Sequence, residues 1–259
     1  MRPRFHVPDV NGAAARVELP EDEAEHLVRV LRLGVGDEVD VFDGRGGMWR
    51  AEVVHAGRKS AAIRPLQPLQ PARELGVSVT LVMSVLKGDK MDDVVRDAVM
   101  LGVSAIHPVV SERAETSLAA MARGNRLARW ERIAVSSAKQ CGRAVVPAIH
   151  PATPLDWCWN PPHDATSASW GPRNEKTAAT RLLCVEPSAA VADVVPVQRI
   201  AKAPAVHLIV GPEGGWSVTE VAAAHESGAI LMSLGARTLR ADAVPIVALT
   251  ALLTSWGEL

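Results

Sequence analysis

The sequence predicts an α/β protein in two parts, a small β-rich N-terminal segment and a larger C-terminal segment built on a mainly parallel sheet. Three observations carry that prediction. From Val77 onward, apolar strand-like runs alternate with helical stretches, the signature of βαβ units. Before Arg64, short runs of alternating polarity are separated by glycine turns instead. Between them, Arg64-Pro-Leu-Gln-Pro-Leu-Gln-Pro-Ala72 is proline-rich and reads as a linker. The expected domains are therefore residues 1–71 and 76–259. With 48% of its 259 residues hydrophobic and 22% charged, the chain has enough apolar material to fold both.

Each element has a local reason. Glu21 to Leu33 places Leu27, Val30 and Leu31 on one side with Arg29 and Arg32 beside them, the pattern of a short amphipathic helix with a basic last turn. Glu38 to Phe42 and Trp49 to Val54 alternate around the turn Asp43-Gly-Arg-Gly-Gly47 and read as a hairpin, with Ala61 to Ile63 as a third strand. In the second part, Val77–Leu86, Val103–Val110, Arg181–Val185, Ala205–Val210 and Ala229–Leu234 are apolar runs of strand length. Helices are expected from Asp89 to Leu101 and from Asn125 to Cys141, and the polar stretch Asn160–Thr180 is expected as a loop. The last helix, Val244 to Trp256, is apolar nearly all round, so it is buried in the core or against a second subunit. Asp242 is its natural N-cap.

Two loops carry the functional signal. Leu208-Ile-Val-Gly-Pro-Glu-Gly-Gly-Trp-Ser217 and Leu234-Gly-Ala-Arg-Thr-Leu-Arg-Ala-Asp-Ala243 each follow an apolar strand and precede a helix. Gly211, Gly214 and Gly215 allow positive φ and close backbone approach, so bare N–H and C=O groups can line a pocket. Ser217 and Glu220 supply a capping box for the helix that follows. Ligand loops in parallel sheets lie at strand C-termini, and Glu186-Pro187 occupies that position too. Neither the G-x-G-x-x-G spacing nor a Walker lysine is present, which excludes the familiar dinucleotide and P-loop sites.

Charge adds a second signal. The net charge is −1, so any nucleic-acid contact must come from a local patch. Residues 121–143 hold six Arg or Lys against one acidic residue, Glu131. On a helix, Arg129, Arg132, Lys139 and Arg143 fall within an arc of about 80°, opposite Leu127, Trp130, Ala134, Ala138 and Cys141. That face reads equally as a phosphate-binding stripe or as a solvated surface. With no tyrosine and two phenylalanines, rows of stacked aromatics are excluded as an RNA platform. Cys141, Cys158 and Cys184 form no C-x-x-C pair, and the histidines lack ligand spacing, so no metal is expected. No stretch has the length of a membrane span or a leader's apolar run, so the chain is expected in the cytoplasm, away from membranes.

The two loops, with Leu86-Lys-Gly-Asp-Lys-Met-Asp92, Ser111-Glu-Arg113 and Ala138-Lys-Gln-Cys-Gly-Arg143, make the chain resemble the bacterial 16S ribosomal RNA uridine-N3 methyltransferases of the SPOUT class. The resemblance spans nearly the whole chain. It implies a PUA-like β-barrel at the N-terminus, a C-terminal α/β domain tied in a trefoil knot, and a homodimer with contacts through the apolar last helix. It also implies bound S-adenosylmethionine, held against Glu186, Pro187, Gly211, Pro212, Glu213, Gly214, Gly215, Leu234, Gly235, Leu239 and Arg240. By the same resemblance 16S ribosomal RNA or the small ribosomal subunit is the partner, meeting Arg2, Arg4, Arg29, Arg32, Lys87, Lys90 and Arg113 with Arg129, Arg132, Lys139 and Arg143 of the basic helix. Arg240, Glu213 and Asp242 are the implied catalytic groups. Members usually follow the Leu-x-x-Arg segment with an acidic residue, often glutamate beside threonine, and then alanine. Here Arg240 is followed by Ala241, Asp242, Ala243 and Val244. The rival expectation is an RNA-binding assembly factor that uses the same barrel and basic helix without catalysis.

Overall fold

The computed structural model describes residues 2–159, 179–187 and 193–259. The expected polar loop lies outside them except for Ala179 and Thr180. The chain divides into two compact units, Met1–Glu74 with Val135–Val146, and Leu75–Ala134 with Pro147–Leu259. The first unit is therefore assembled from two stretches of chain.

In the first unit, β1 (Arg4–His6), β2 (Val17–Glu18), β3 (Glu38–Phe42), β4 (Met48–Ala56) and β5 (Ala61–Pro68) form one sheet in the order β1-β3-β4-β5-β2. β3 and β4 are the expected hairpin, paired from Glu38 with Glu52 to Phe42 with Met48. The inward residues of each strand, among them Phe5, Val41, Val53 and Ile63, are fully buried in one core. The proline-rich stretch is not a linker along its length: β5 continues through Pro65 and Pro68. Those prolines are tolerated because the two-residue β2 pairs only with Ala62 and Ile63, which leaves one side of β5 without a ladder beyond them. The expected helix Glu21–Leu33 is also shorter and irregular. α1 (Glu21–Glu25) passes into a π-helical turn, His26–Val30, and Arg32 then stands at φ 56°.

The second unit is a sheet with all recorded pairings parallel. Its described strands are β6 (Ser78–Ser84), β7 (Ala105–Val110), β8 (Ala148–Ile149), β9 (Thr153–Pro154), β10 (Thr180–Cys184), β11 (Val195–Pro196), β12 (Ala205–Val210) and β13 (Ile230–Ser233). They run in the order β11-β13-β10-β12-β6-β7-β8, with β9 on β7. The expected helices appear as α2 (Lys90–Met100) and α4 (Arg126–Cys141), separated by a short α3 (Leu118–Arg123), followed by α5 (Val218–Glu226) and α6 (Val244–Ser255). Parallel strands buried on both faces need continuous apolar runs, and Leu81, Val82, Leu182, Leu208 and Ile209 are all buried.

Within the second unit, α4 is fixed to α2 by Asp92, a buried carboxylate that accepts a hydrogen bond from Trp130 Nε1 at 3.1 Å and an ion pair from Arg129. On strands β7 and β12, burial holds His107 down to about 3, aided by His150 and His207, while burial and then Arg181 hold His207 down to about 4. His107 shares a 3.0 Å hydrogen bond with Thr153. Both imidazoles are thus neutral in the fold, whereas in the unfolded chain they protonate near 6.5. Above that pH their contribution to stability is complete. As pH falls below it the unfolded chain takes up the protons first, which removes up to about 1.4 kcal/mol per pH unit for buried His107 and less for the half-buried His207. Thermal unfolding followed from pH 7 to pH 4.5 is expected to show a falling midpoint, with a shallower slope in His207→Gln.

Candidate active site

Three neighbouring strands, β13, β10 and β12, are parallel and end at the same edge of the sheet. Each releases a loop there. Val185-Glu186-Pro187 follows β10, Gly211–Ser217 follows β12, and Leu234–Ala243 follows β13. The two glycine loops are therefore not on adjacent strands. β10 lies between them, so its Glu186-Pro187 corner becomes a wall of the same pocket. The loops enclose a cavity of about 280 Å³.

The cavity joins most of the residues expected to meet a cofactor: Glu186, Pro187, Gly211, Pro212, Glu213, Gly215, Leu234, Gly235, Leu239 and Arg240 line it. Gly214 does not, because its carbonyl turns away to accept a 3.1 Å hydrogen bond from Arg113. Val185, Val210, Leu234, Leu239 and Val244 give apolar walls, while the glycine segments offer backbone polar groups. Apolar walls with a few convergent polar groups are the general composition of small-molecule sites. Sequence reasoning missed Trp216, Arg237 and Thr238 as lining residues. Trp216 was legible as the aromatic residue of the first loop, but its neighbours gave no hint that it lies against Gly211.

Glycine is needed for different reasons along these loops. Gly215 (φ 67°) and Gly235 (φ 119°) have backbone conformations that side chains disfavour. Gly211 has no such φ and is small for a steric reason: a Cβ there would sit 3.0 Å from Trp216 Cε2. The indole cannot easily yield, because its Nε1 donates a 2.8 Å hydrogen bond to the Cys184 carbonyl at the end of β10. Ser217 and Glu220 form the expected capping box, which ends the loop and starts α5.

The charged groups are tied in pairs. Glu213 Oε1 accepts from Lys90 Nζ at 3.0 Å and from the Lys87 backbone N–H at 3.3 Å. Burial pushes its carboxyl up, but Lys90 and the backbone N–H groups outweigh this and hold it below the ordinary value. Asp242 is not the N-cap of α6. The cap position is Ala243, and no side chain caps it. Asp242 instead takes both ends of the Arg240 guanidinium, Nε at 3.1 Å and Nη2 at 2.7 Å. Burial raises the Asp242 carboxyl and the Arg240 contact lowers it further, so it too titrates below its usual range. The Arg240 side chain is 81% exposed and the paired carboxylate fixes its direction. Cys184 also lines the cavity, but burial pushes its thiol up to about 12, which removes it as a nucleophile.

Several cations expected to face RNA are committed within the fold. Arg143 is 4% exposed and is bound to Glu74 through Nε and Nη2. Lys139 donates to both oxygens of buried Glu23. Arg4 donates to the carbonyls of Ala138, Lys139 and Arg143. These three are struts of the first unit and not an open face, because carboxylates and carbonyls distant in sequence reach them. Arg129 is paired with Asp89 and Asp92, Arg2 with Glu38, Arg29 with Glu25 and Lys87 with Glu115. Arg132 is exposed and donates to its own helix at Ala128. Arg32 is exposed, without a hydrogen-bond or ion-pair partner among the described residues.

The Gly211–Trp216 contact predicts a measurable cost. Gly211→Ala should lower unfolding stability in urea by about 1–3 kcal/mol, the usual penalty of overpacking. In a Trp216→Ala background the same change should cost much less, since the two side chains compete for one space.

An RNA methyltransferase domain family matches residues 73–253, and an RNA methyltransferase PUA domain family matches residues 19–66. The chain is 32% identical over 238 residues to a ribosomal RNA small subunit methyltransferase E of Synechocystis, an alignment covering 91% of this chain and 72% of the relative. Its likeness to the protein of that name from Buchnera aphidicola is 24% over 257 residues, covering 99% and 94%. Among solved structures, a ribosomal RNA small subunit methyltransferase E from Neisseria gonorrhoeae bound to S-adenosyl methionine matches with a TM-score of 0.83 and 31% identity, over 99% of this chain and 98% of that one. A methyltransferase structure from Legionella pneumophila, in complex with the same cofactor, matches with a TM-score of 0.81 and 26% identity over 98% of each. The parallel sheet with its looped cavity falls within the first matched region, β3, β4 and most of β5 fall within the second, and the chain belongs to the family of RNA methyltransferases that carry a PUA domain.

Proposed function

We propose that this protein is an S-adenosylmethionine-dependent enzyme that methylates N3 of a uridine in 16S ribosomal RNA. The observation that carries the reading is the cavity formed by three loops at one sheet edge, with a fixed cation at its mouth. An assembly factor without catalysis needs no such cavity. The residues fit the cofactor: backbone groups of the glycine loops suit the edge of an adenine, and Val185, Leu234 and Leu239 suit its faces. S-adenosylmethionine, when bound, supplies the methyl group from its sulfonium. We infer that the loops bearing these residues form the knot that the family resemblance implies.

The remaining chemistry belongs to this chain. In-line transfer requires alignment and loss of the N3 proton. Arg240 is assigned to the negative charge that develops on the uracil oxygens, since a pre-aimed guanidinium acts without reorganisation. Asp242 positions Arg240 and is not a proton acceptor, because its oxygens are engaged and it does not line the cavity. Glu213 lines the cavity, which supports assigning it as the carboxylate that receives the proton. Its lowered basicity makes acidification of N3 by Arg240 part of the same step.

The homodimer is proposed through α6, where Ile246 and Val247 are partly exposed on an otherwise apolar helix. No helix among the described residues is long and apolar enough to cross a membrane, and the cytoplasm is the proposed compartment. Among the described residues no group of three or more His, Cys, Asp or Glu could hold a metal ion.

Arg240→Ala is expected to lower the single-turnover methylation rate at saturating RNA and cofactor by about 10²–10³, the range for loss of one charge-stabilising donor. Calorimetric affinity for S-adenosylmethionine should stay within about threefold of wild type, near RT in free energy. A wild-type rate in the variant would overturn the assignment.

A further inference from the structure

Lys90, Arg237 and Arg240 bring positive charge to the cavity wall. Two of them are neutralised locally, Lys90 by Glu213 and Arg240 by Asp242. Arg237 differs. It is exposed, and it has no hydrogen-bond or ion-pair partner among the described residues. Its position is built by the backbone: Gly235 turns at φ 119° with open space beside it, and the exposed segment Ala236–Thr238 follows directly from β13. Glu186, the other lining carboxylate, already has an interaction of its own. Among the described residues, the mouth of the cavity therefore carries one uncompensated guanidinium.

We propose that Arg237 is a positioning residue for RNA, gripping a phosphodiester group next to the nucleotide whose base enters the cavity. The proposal rests on the methyltransferase reading above. A base that enters from solvent leaves its own backbone phosphates outside, at the rim, and Arg237 is at the rim. Its planar fork matches two phosphate oxygens, and contacts of this kind set register without reading sequence. The carboxylate of the cofactor is the rival anion; exposure of the side chain favours the ligand that stays outside. The grip holds the RNA in one register at the rim, three residues from Arg240 on the same loop, and so adds to its binding.

The test uses the full chain, with Arg237→Gln and Arg237→Lys assayed on small ribosomal subunits across a salt series, alongside cofactor calorimetry. For Arg237→Gln, KM for the subunit should rise about tenfold, as for one charge-assisted contact, with kcat nearly unchanged. The dependence of log kcat/KM on log salt should become shallower by about 1. Arg237→Lys, which keeps the charge, should recover the salt slope and most of the KM. Affinity for S-adenosylmethionine should not move in either variant. An unchanged KM and slope in Arg237→Gln would overturn the proposal, and so would a loss of cofactor affinity equal to the loss of kcat/KM. Equal defects in both variants with a lowered thermal midpoint would assign Arg237 a structural role instead. Failure of the wild-type protein to methylate subunits would remove the broader reading, a result distinct from any of these.

Discussion

The parallel register of β13, β10 and β12 is the constraint on which the site depends. Parallel strands deliver their C-terminal ends to one edge, so three loops far apart in sequence meet at one place. The same edge receives the loops after β6 and β7, which carry Lys87 and Arg113, and the first turn of α2 with Lys90. Those cations brace the Gly211–Gly215 loop through Glu213 and the Gly214 carbonyl. A cavity wall made of glycine would be costly to order by itself, since glycine loses the most backbone freedom on folding. Bracing from two neighbouring loops offsets that cost.

Fixed ion pairs shape the electrostatics more than net charge does. Asp242 aims Arg240, and Lys90 keeps Glu213 ionised. Both pairs are partly exposed, so their value to stability is small. Their value to the site is directional: a guanidinium bound at two points keeps its remaining donors pointed one way. Asp242 serves that purpose with a short side chain because it lies only two residues from its partner.

Much of this was legible in the sequence, and the failures share a cause. Buried strands and long helices announced themselves by period, and the glycine loops by composition, because each signal is local. The basic stripe on α4 misled because its neutralising partners, Glu23 and Glu74, are 116 and 69 residues away. The prolines of β5 misled because their tolerance depends on how short β2 is. Asp242 looked like a helix cap because nothing local shows that an arginine two residues earlier has the better geometry. Short strands such as β9 and β11 have too few residues to show any alternation.

The first unit has a history written into its chain order. The unit is complete only when Val135–Val146 has been added to Met1–Glu74, and Lys139 and Arg143 of that late stretch neutralise the buried or partly buried Glu23 and Glu74 of the early one. A ribosome making this protein emits about sixty intervening residues, on the order of several seconds of synthesis, before the last brace arrives. The N-terminal sheet is thus not a detachable cassette that evolution or an engineer could transplant by cutting near residue 74; its graft would need a second splice, carrying the end of α4 with it.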